Sequence, residues 1–134
     1  MNSLEGHIIE VNTSGSLSLV SVRVGPNVVV KAIVIDTPET ASYLEAEQPI
    51  NVLFKETEVI IGANDNCNIS LQNKITGTVK EIEKGALLSR VVVQTKVKDI
   101  ISVISSNAVN ELGLKENMKV TAMIKLNEIM LSNK

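Results

Sequence analysis

An all-β chain of two tandem, small Greek-key barrels, each with one short helix, is what this sequence predicts. Three observations carry the prediction: one passage occurs twice, the apolar residues alternate rather than recur at helical spacing, and aromatic residues are nearly absent. Gly6-His7-Ile8-Ile9-Glu10-Val11 is answered by Gly77-Thr78-Val79-Lys80-Glu81-Ile82, and Phe54-Lys55-Glu56-Thr57-Glu58-Val59 by Ile124-Lys125-Leu126-Asn127-Glu128-Ile129. The offset is 71 residues at the first pair and 70 from Gly15 and Gly85 onward, through Leu44/Leu114 and Lys55/Lys125. A period this long is not that of a solenoid, so the chain reads as two domains of about 60 to 65 residues, each near the lower size for an independent core. The boundaries fall at 1–62 and 69–134, with the polar, turn-rich stretch 63–68 as linker.

The elements follow in order. Leu17, Leu19, Ser21 and Arg23 fall on one side of a strand and Val20, Val22 and Val24 on the other; Gly25-Pro26-Asn27 then turns the chain, and Val28 to Asp36 reads as the return strand of a hairpin. Thr37 is placed to cap a short helix with Pro38 at its first position, running from Glu39 to Leu44. A later strand is Ile50 to Phe54. The second copy repeats the plan: Leu88 to Thr95 and Val97 to Ser105 form the hairpin, Ser106 caps a helix over Asn107 to Leu112, Gly113 ends it, and Val120 to Ile124 follows. Unbroken runs such as Val28-Val29-Val30 and Val91-Val92-Val93 predict strands covered on both faces. Many short strands with little helix, in units of this size, make a barrel of the OB kind.

Composition sets limits on function. With 44% hydrophobic residues but one Phe, one Tyr and no Trp, the cores are thin layers of Val, Ile and Leu. A core of this size supplies only a few kcal/mol, which calls for fusion of two units and for oligomerisation. Cys67 stands alone, so no disulfide framework or CxxC metal site is available, and a reducing cytoplasm is the expected compartment. Met1 to Glu5 lacks the basic start and apolar core of a targeting signal, and no apolar run reaches membrane-spanning length. The net charge is −2 and the 13 Lys and Arg residues are scattered, which with the scarcity of stacking aromatics argues against nucleic-acid binding. His7 is the sole imidazole and its repeat partner is Thr78, so no nucleophile–base arrangement can be assembled, and an enzyme is not expected. No Walker-type phosphate loop is present, and the carboxylates are too dispersed to serve as direct cation ligands.

What remains is a set of small neutral donors and lysines at repeated junctions: Ser70 to Asn73 before the second unit, Ser105-Ser106 at a helix start, and Lys55 and Lys125 at the ends of equivalent strands. Hydroxyls, amides and a lysine on a flexible stem suit an anion. They equally suit a helix cap and solubilised strand edges.

The order of these elements carries a resemblance. Ser70-Leu71-Gln72-Asn73-Lys74-Ile75-Thr76-Gly77-Thr78-Val79, then Glu83-Lys84-Gly85-Ala86, Asn110-Glu111-Leu112-Gly113-Leu114 and Val120-Thr121-Ala122-Met123-Ile124-Lys125 are similar to the molybdenum-binding Mop domain of the TOBE group. The second unit resembles it throughout, the first more loosely from Leu4 to Ile61, and two such units in tandem resemble the di-Mop molbindins. The resemblance implies molybdate or tungstate bound as an oxyanion at interfaces of a homo-oligomer, a trimer by family analogy, for storage, buffering or homeostasis. It assigns Ser70, Gln72 and Asn73 from one subunit and Lys125, Leu126 and Ser105 from another, with Lys55, Glu56 and Thr37 as first-unit counterparts. Several positions depart from the family pattern: Gln72 replaces an Arg, Ala108 a Ser, Ile35, Asp36 and Pro38 replace hydroxyl-bearing neighbours, and the first unit has no Ser-x-Arg-Asn opening. The alternative is a sensory or protein-interaction TOBE module with a decayed anion site, working beside a molybdate transporter or regulator.

Overall fold

A computed structural model describes residues 1–63 and 68–133. Asn64 to Cys67, in the expected linker, lie outside the described residues. The strands are β1 (Asn2–Ser14), β2 (Leu17–Gly25), β3 (Val28–Val34), β4 (Pro49–Phe54) and β5 (Ile60–Gly62), then β6 (Asn73–Lys84), β7 (Leu88–Thr95), β8 (Ile100–Ser105), β9 (Lys119–Ile124) and β10 (Met130–Asn133). One α-helix, α1 (Ser106–Leu112), precedes β9, and short 3-10 turns at Glu56–Glu58 and Leu126–Glu128 follow β4 and β9. The two-unit, all-β architecture is as the sequence predicts.

Each unit is organised by one long, bent strand. The first half of β1 pairs with β4 and its second half with β2, with a register shift between Ile8 and Glu10; β6 does the same with β9 and β7, shifting between Val79 and Glu81. A bulge of this kind inserts one residue and sharpens the strand's twist, which lets a single strand serve both sides of a small barrel. The bend brings backbones very close. A Cβ on Gly6 would collide with the carbonyl oxygen of Arg23, and one on Gly77 with that of Gln94. That is why glycine occupies both repeat positions.

The fifth strands are exchanged. One sheet has the order β10-β4-β1-β2-β3 and the other β5-β9-β6-β7-β8. Thus Ile60 and Ile61 lie opposite Met123 and Ala122, while Met130 and Leu131 lie opposite Leu53 and Val52. The chain crosses between sheets through the 3-10 turns, and Val59 and Ile129, each just after its turn, are buried. A single cluster of buried Val, Ile and Leu side chains, with Phe54 at 0% exposure, extends through both units. Two small cores thereby become one larger core, which meets the stability problem that units of this size face alone.

The expected helices fare differently. In the second unit Ser105, not Ser106, is the N-cap: its hydroxyl accepts from the Ala108 amide at 3.0 Å, and Gly113 closes the helix in the left-handed conformation at φ 63°. Ser106 is instead buried, sharing a 2.7 Å hydrogen bond with the Ser89 hydroxyl and donating to the Gly85 carbonyl. In the first unit no helix forms over Glu39 to Leu44. The chain makes one turn, in which the amides of Thr40 and Ala41 both donate to the Thr37 carbonyl. At the repeat positions of Ser105, Val109 and Gly113 the first unit has Ile35, Glu39 and Tyr43. It therefore lacks the N-cap, the buried apolar anchor and the C-cap that hold α1.

Candidate functional site

Lys125 and Lys55 occupy the same structural position in the two units. Each is the extended residue leading a 3-10 turn, at φ −71° and −72°, and each side chain is exposed. The carbonyl of Lys55 accepts from Glu58, and that of Lys125 from Glu128. The amides of Leu126 and Asn127, like those of Glu56 and Thr57, lead their turns and have no intrahelical acceptor. A cation and two turn-leading amides thus stand together in sequence. The surroundings differ, since Glu56 and Glu58 both lie in the first turn, whereas Glu128 is the only acid in the second. The Glu56 carboxylate also accepts from the Met1 ammonium at 3.3 Å.

Strand exchange decides which residues these turns meet. The Glu56–Glu58 turn packs on β8, the strand that ends at Ser105, and the Leu126–Glu128 turn packs on β3, which leads to Ile35, Asp36 and Thr37. Within one chain, then, the turn that Lys55 leads meets the strand of Ser105, while the turn that Lys125 leads meets the strand leading to Thr37. The resemblance grouped Lys125 and Leu126 with Ser105, so that grouping spans the two halves of the molecule. The Ser105 hydroxyl accepts from the Ala108 amide and the Thr37 hydroxyl from the Thr40 amide, so each keeps its hydrogen to donate, while the Thr37 amide donates to the Thr40 hydroxyl.

The residues before the second unit divide in the same way. Ser70 and Gln72 are exposed. Asn73, 1% exposed, is spent inside the chain: its amide donates to the Lys31 carbonyl at 2.8 Å and its oxygen accepts from the Lys31 amide at 2.8 Å. Asn2, its repeat partner, makes the same pair with Ile101 at 2.8 Å. Each Asn side chain imitates one more residue of strand and fastens one unit to the edge of the other. The sequence held a signal for this clamp: an asparagine at the start of both long strands, 71 residues apart.

Two further properties bear on chemistry. Among the described residues no group of three or more His, Cys, Asp or Glu side chains could hold a metal ion. The Tyr43 phenol is pushed above its ordinary 10.0, first by partial burial and then by the Asp36 carboxylate, so the Thr37 side is locally acidic.

The TOBE domain model matches residues 69–131. Molybdenum-pterin-binding proteins 1 and 3 of Clostridium pasteurianum are 37% and 34% identical to this chain over 65 residues, which is 48% of this chain and 96% of each relative. A crystal structure of the cytoplasmic molybdate-binding protein ModG with molybdate bound superposes with a TM-score of 0.92 at 26% identity, over 99% of this chain and 96% of that one. Repeat, exchanged barrels and relatives agree: the chain belongs to the TOBE-domain, molybdate-binding Mop family.

Proposed function

We propose that this chain binds molybdate, and its near-equivalent tungstate, as an intact oxyanion, and that it stores or buffers the ion in the cytoplasm. What carries the proposal is the likeness to molybdate-bound ModG over 99% of the chain. Local chemistry supports it: Lys125 and Lys55 each lead a turn whose first amides have no intrahelical acceptor, and a tetrahedral dianion is held by several neutral donors with one or two cations. Ser70, Gln72, Leu126 and Ser105 are the further donors, with Glu56 and Thr37 at the weaker first-unit positions. Asn73 acts by fixing the strand start, since its own amide is occupied. No chemical step on the ion is assigned, and nucleic acid is not a partner.

The sites are completed between subunits of a homo-oligomer, a trimer by family analogy. Ile35 and Leu87, 80% and 81% exposed, and Leu88, at 59%, are apolar side chains that assembly would cover. Native mass spectrometry with and without molybdate is the test, because it reads subunit number and bound ions together. A trimer gaining discrete molybdate masses is expected. A folded 14.5 kDa monomer that gains none would overturn both claims. Calorimetry should also show preference over sulfate, since donors spaced for the larger ion are left unpaired around the smaller one at about 1 to 3 kcal/mol each.

A decayed site in an interaction module is the second reading, favoured by Gln72 at the family's Arg position. Gln72→Arg restores a planar fork of donors and should tighten binding if this position faces the ion.

A further inference from the structure

A cleft of about 680 Å³ lies between the units, and its lining includes no residue of the 3-10 turns. Its floor is the outer face of the second sheet. Lys74, Thr76 and Thr78 alternate outward along β6, and Thr78 lies opposite Gln94 on β7 and Lys119 on β9. Its roof is the β2–β3 hairpin of the other unit, with Pro26, Val28 and Val29, and its end wall is the loop from Thr95 to Val97. The end wall is braced by local contacts. The Thr95 hydroxyl accepts from the Val97 and Lys98 amides, both at 3.1 Å, and a Cβ on Gly25 would come within 2.9 Å of the Val97 side chain.

The charge is one-sided. Lys74, Lys96 and Lys119 line the cleft and, among the described residues, no carboxylate does, in a chain whose net charge is −2. Neither Lys96 nor Lys119 forms an ion pair among the described residues. The repeat supplies a comparison: at the positions of Lys74, Thr76, Thr78, Gln94, Lys96 and Lys119 the first unit has Ser3, Glu5, His7, Arg23, Pro26 and Pro49. On that side the Lys98 ammonium instead donates to the Ser3 carbonyl at 3.1 Å. One fold thus has two equivalent faces of different charge: three lysines line one, whereas the other sets Arg23 and Lys98 beside Glu5.

Size and spacing define the ligand. Lys119 lies opposite Thr78, four residues along β6 from Lys74, a span of roughly 13 Å at strand rise, with threonine hydroxyls between. A lone tetrahedral oxyanion cannot bridge that row, whereas a chain of linked phosphates can, each phosphate meeting an ammonium or a hydroxyl. The volume lies within the range of small-molecule sites, and the Pro26, Val28, Val29 roof offers apolar surface to a sugar or base. We propose that this cleft binds a polyphosphate chain, as in a nucleoside triphosphate, separately from the molybdate sites.

Calorimetry on the intact protein, titrated at fixed ionic strength with inorganic tripolyphosphate and with ATP, tests this. Both are expected to bind. Tighter ATP binding assigns a nucleotide, and equal affinity assigns an inorganic chain, either of which supports the site. Lys96→Gln and Lys119→Gln, both at exposed positions where no core packing is lost, should each weaken tripolyphosphate about tenfold while leaving molybdate binding unchanged. Absence of heat at millimolar concentration, insensitivity to both substitutions, or parallel loss of molybdate binding in the same variants would overturn the proposal. Failure of the molybdate assignment alone would leave the polyphosphate titration intact, so the two are separable.

Discussion

Lys125 and Lys55 lead two copies of one turn, yet Leu126 follows the first and Glu56 the second. An anion at the leading amides therefore meets a neutral neighbour in one copy and a carboxylate in the other. Lys125→Ala should weaken molybdate binding about tenfold or more, the worth of a charge-assisted hydrogen bond, and Lys55→Ala should cost less. Equal losses in a calorimetric titration would mean that the adjacent acid does not matter. Tyr43 offers a second residue-level readout, as it is the sole tyrosine and can be followed by ultraviolet absorbance. Burial and Asp36 raise its pKa, so its midpoint should lie above 10.0 and fall partway back in Asp36→Asn. With the folded value raised, the associated stability is fully present below the unfolded value and is lost as pH rises through the folded one. A midpoint unmoved by Asp36→Asn would remove the Coulombic part.

At the scale of elements, the repeat shows how local chemistry selects structure. Ser105 and Gly113 bracket a helix; Ile35 and Tyr43, at the same positions, bracket an irregular turn. The loops before β4 and β9 show the converse, a shared shape on unlike residues: Glu47 and Asn117 both adopt left-handed backbone, at φ 73° and 70°, and their amides donate to the Ile8 and Val79 carbonyls. Asparagine tolerates that conformation far better than glutamate. Glu47→Asn should therefore stabilise the fold by about 0.5 to 1 kcal/mol, the part of the left-handed penalty that asparagine relieves. A thermal midpoint that stays put or falls would show that Glu47 gains something else from its place.

Over the whole molecule, exchanged β5 and β10 make each unit depend on the other. Expressed alone, residues 68–134 would leave the β9 edge unpaired and bring a β10 with no β4 to join. Two copies can satisfy each other by the same exchange, so the isolated unit is expected to be a dimer or unfolded. Sedimentation giving a stable monomer would show that the exchange is dispensable. Phe54→Ala, at the centre of the shared cluster, should cost about 3 to 5 kcal/mol and lower the stability of both units together in a single transition. Two separate transitions would mean that the units melt independently.

Period-two alternation, Gly25-Pro26-Asn27 and the twofold recurrence of Gly6 and Gly77 made the strands, hairpins and pairing of units legible in the sequence, because they depend on side-chain facing and local backbone sterics. The lysines and small donors were legible too, as residue types at matched offsets. Partner choice was not. Ile60-Ile61-Gly62 and Met130-Leu131-Ser132 are short apolar edges, and backbone hydrogen bonding is indifferent to which of two equivalent strands, β4 or β9, receives them; only the path of the chain through the 3-10 turns decides. That path then determined what no local pattern contained: the turn after Lys55 lies by the strand of Ser105, the turn after Lys125 by the strand leading to Thr37, Asn73 is spent on Lys31, and three lysines far apart in sequence line one cleft. Side-chain pattern selects elements, whereas contacts between distant, near-identical elements depend on global chain geometry.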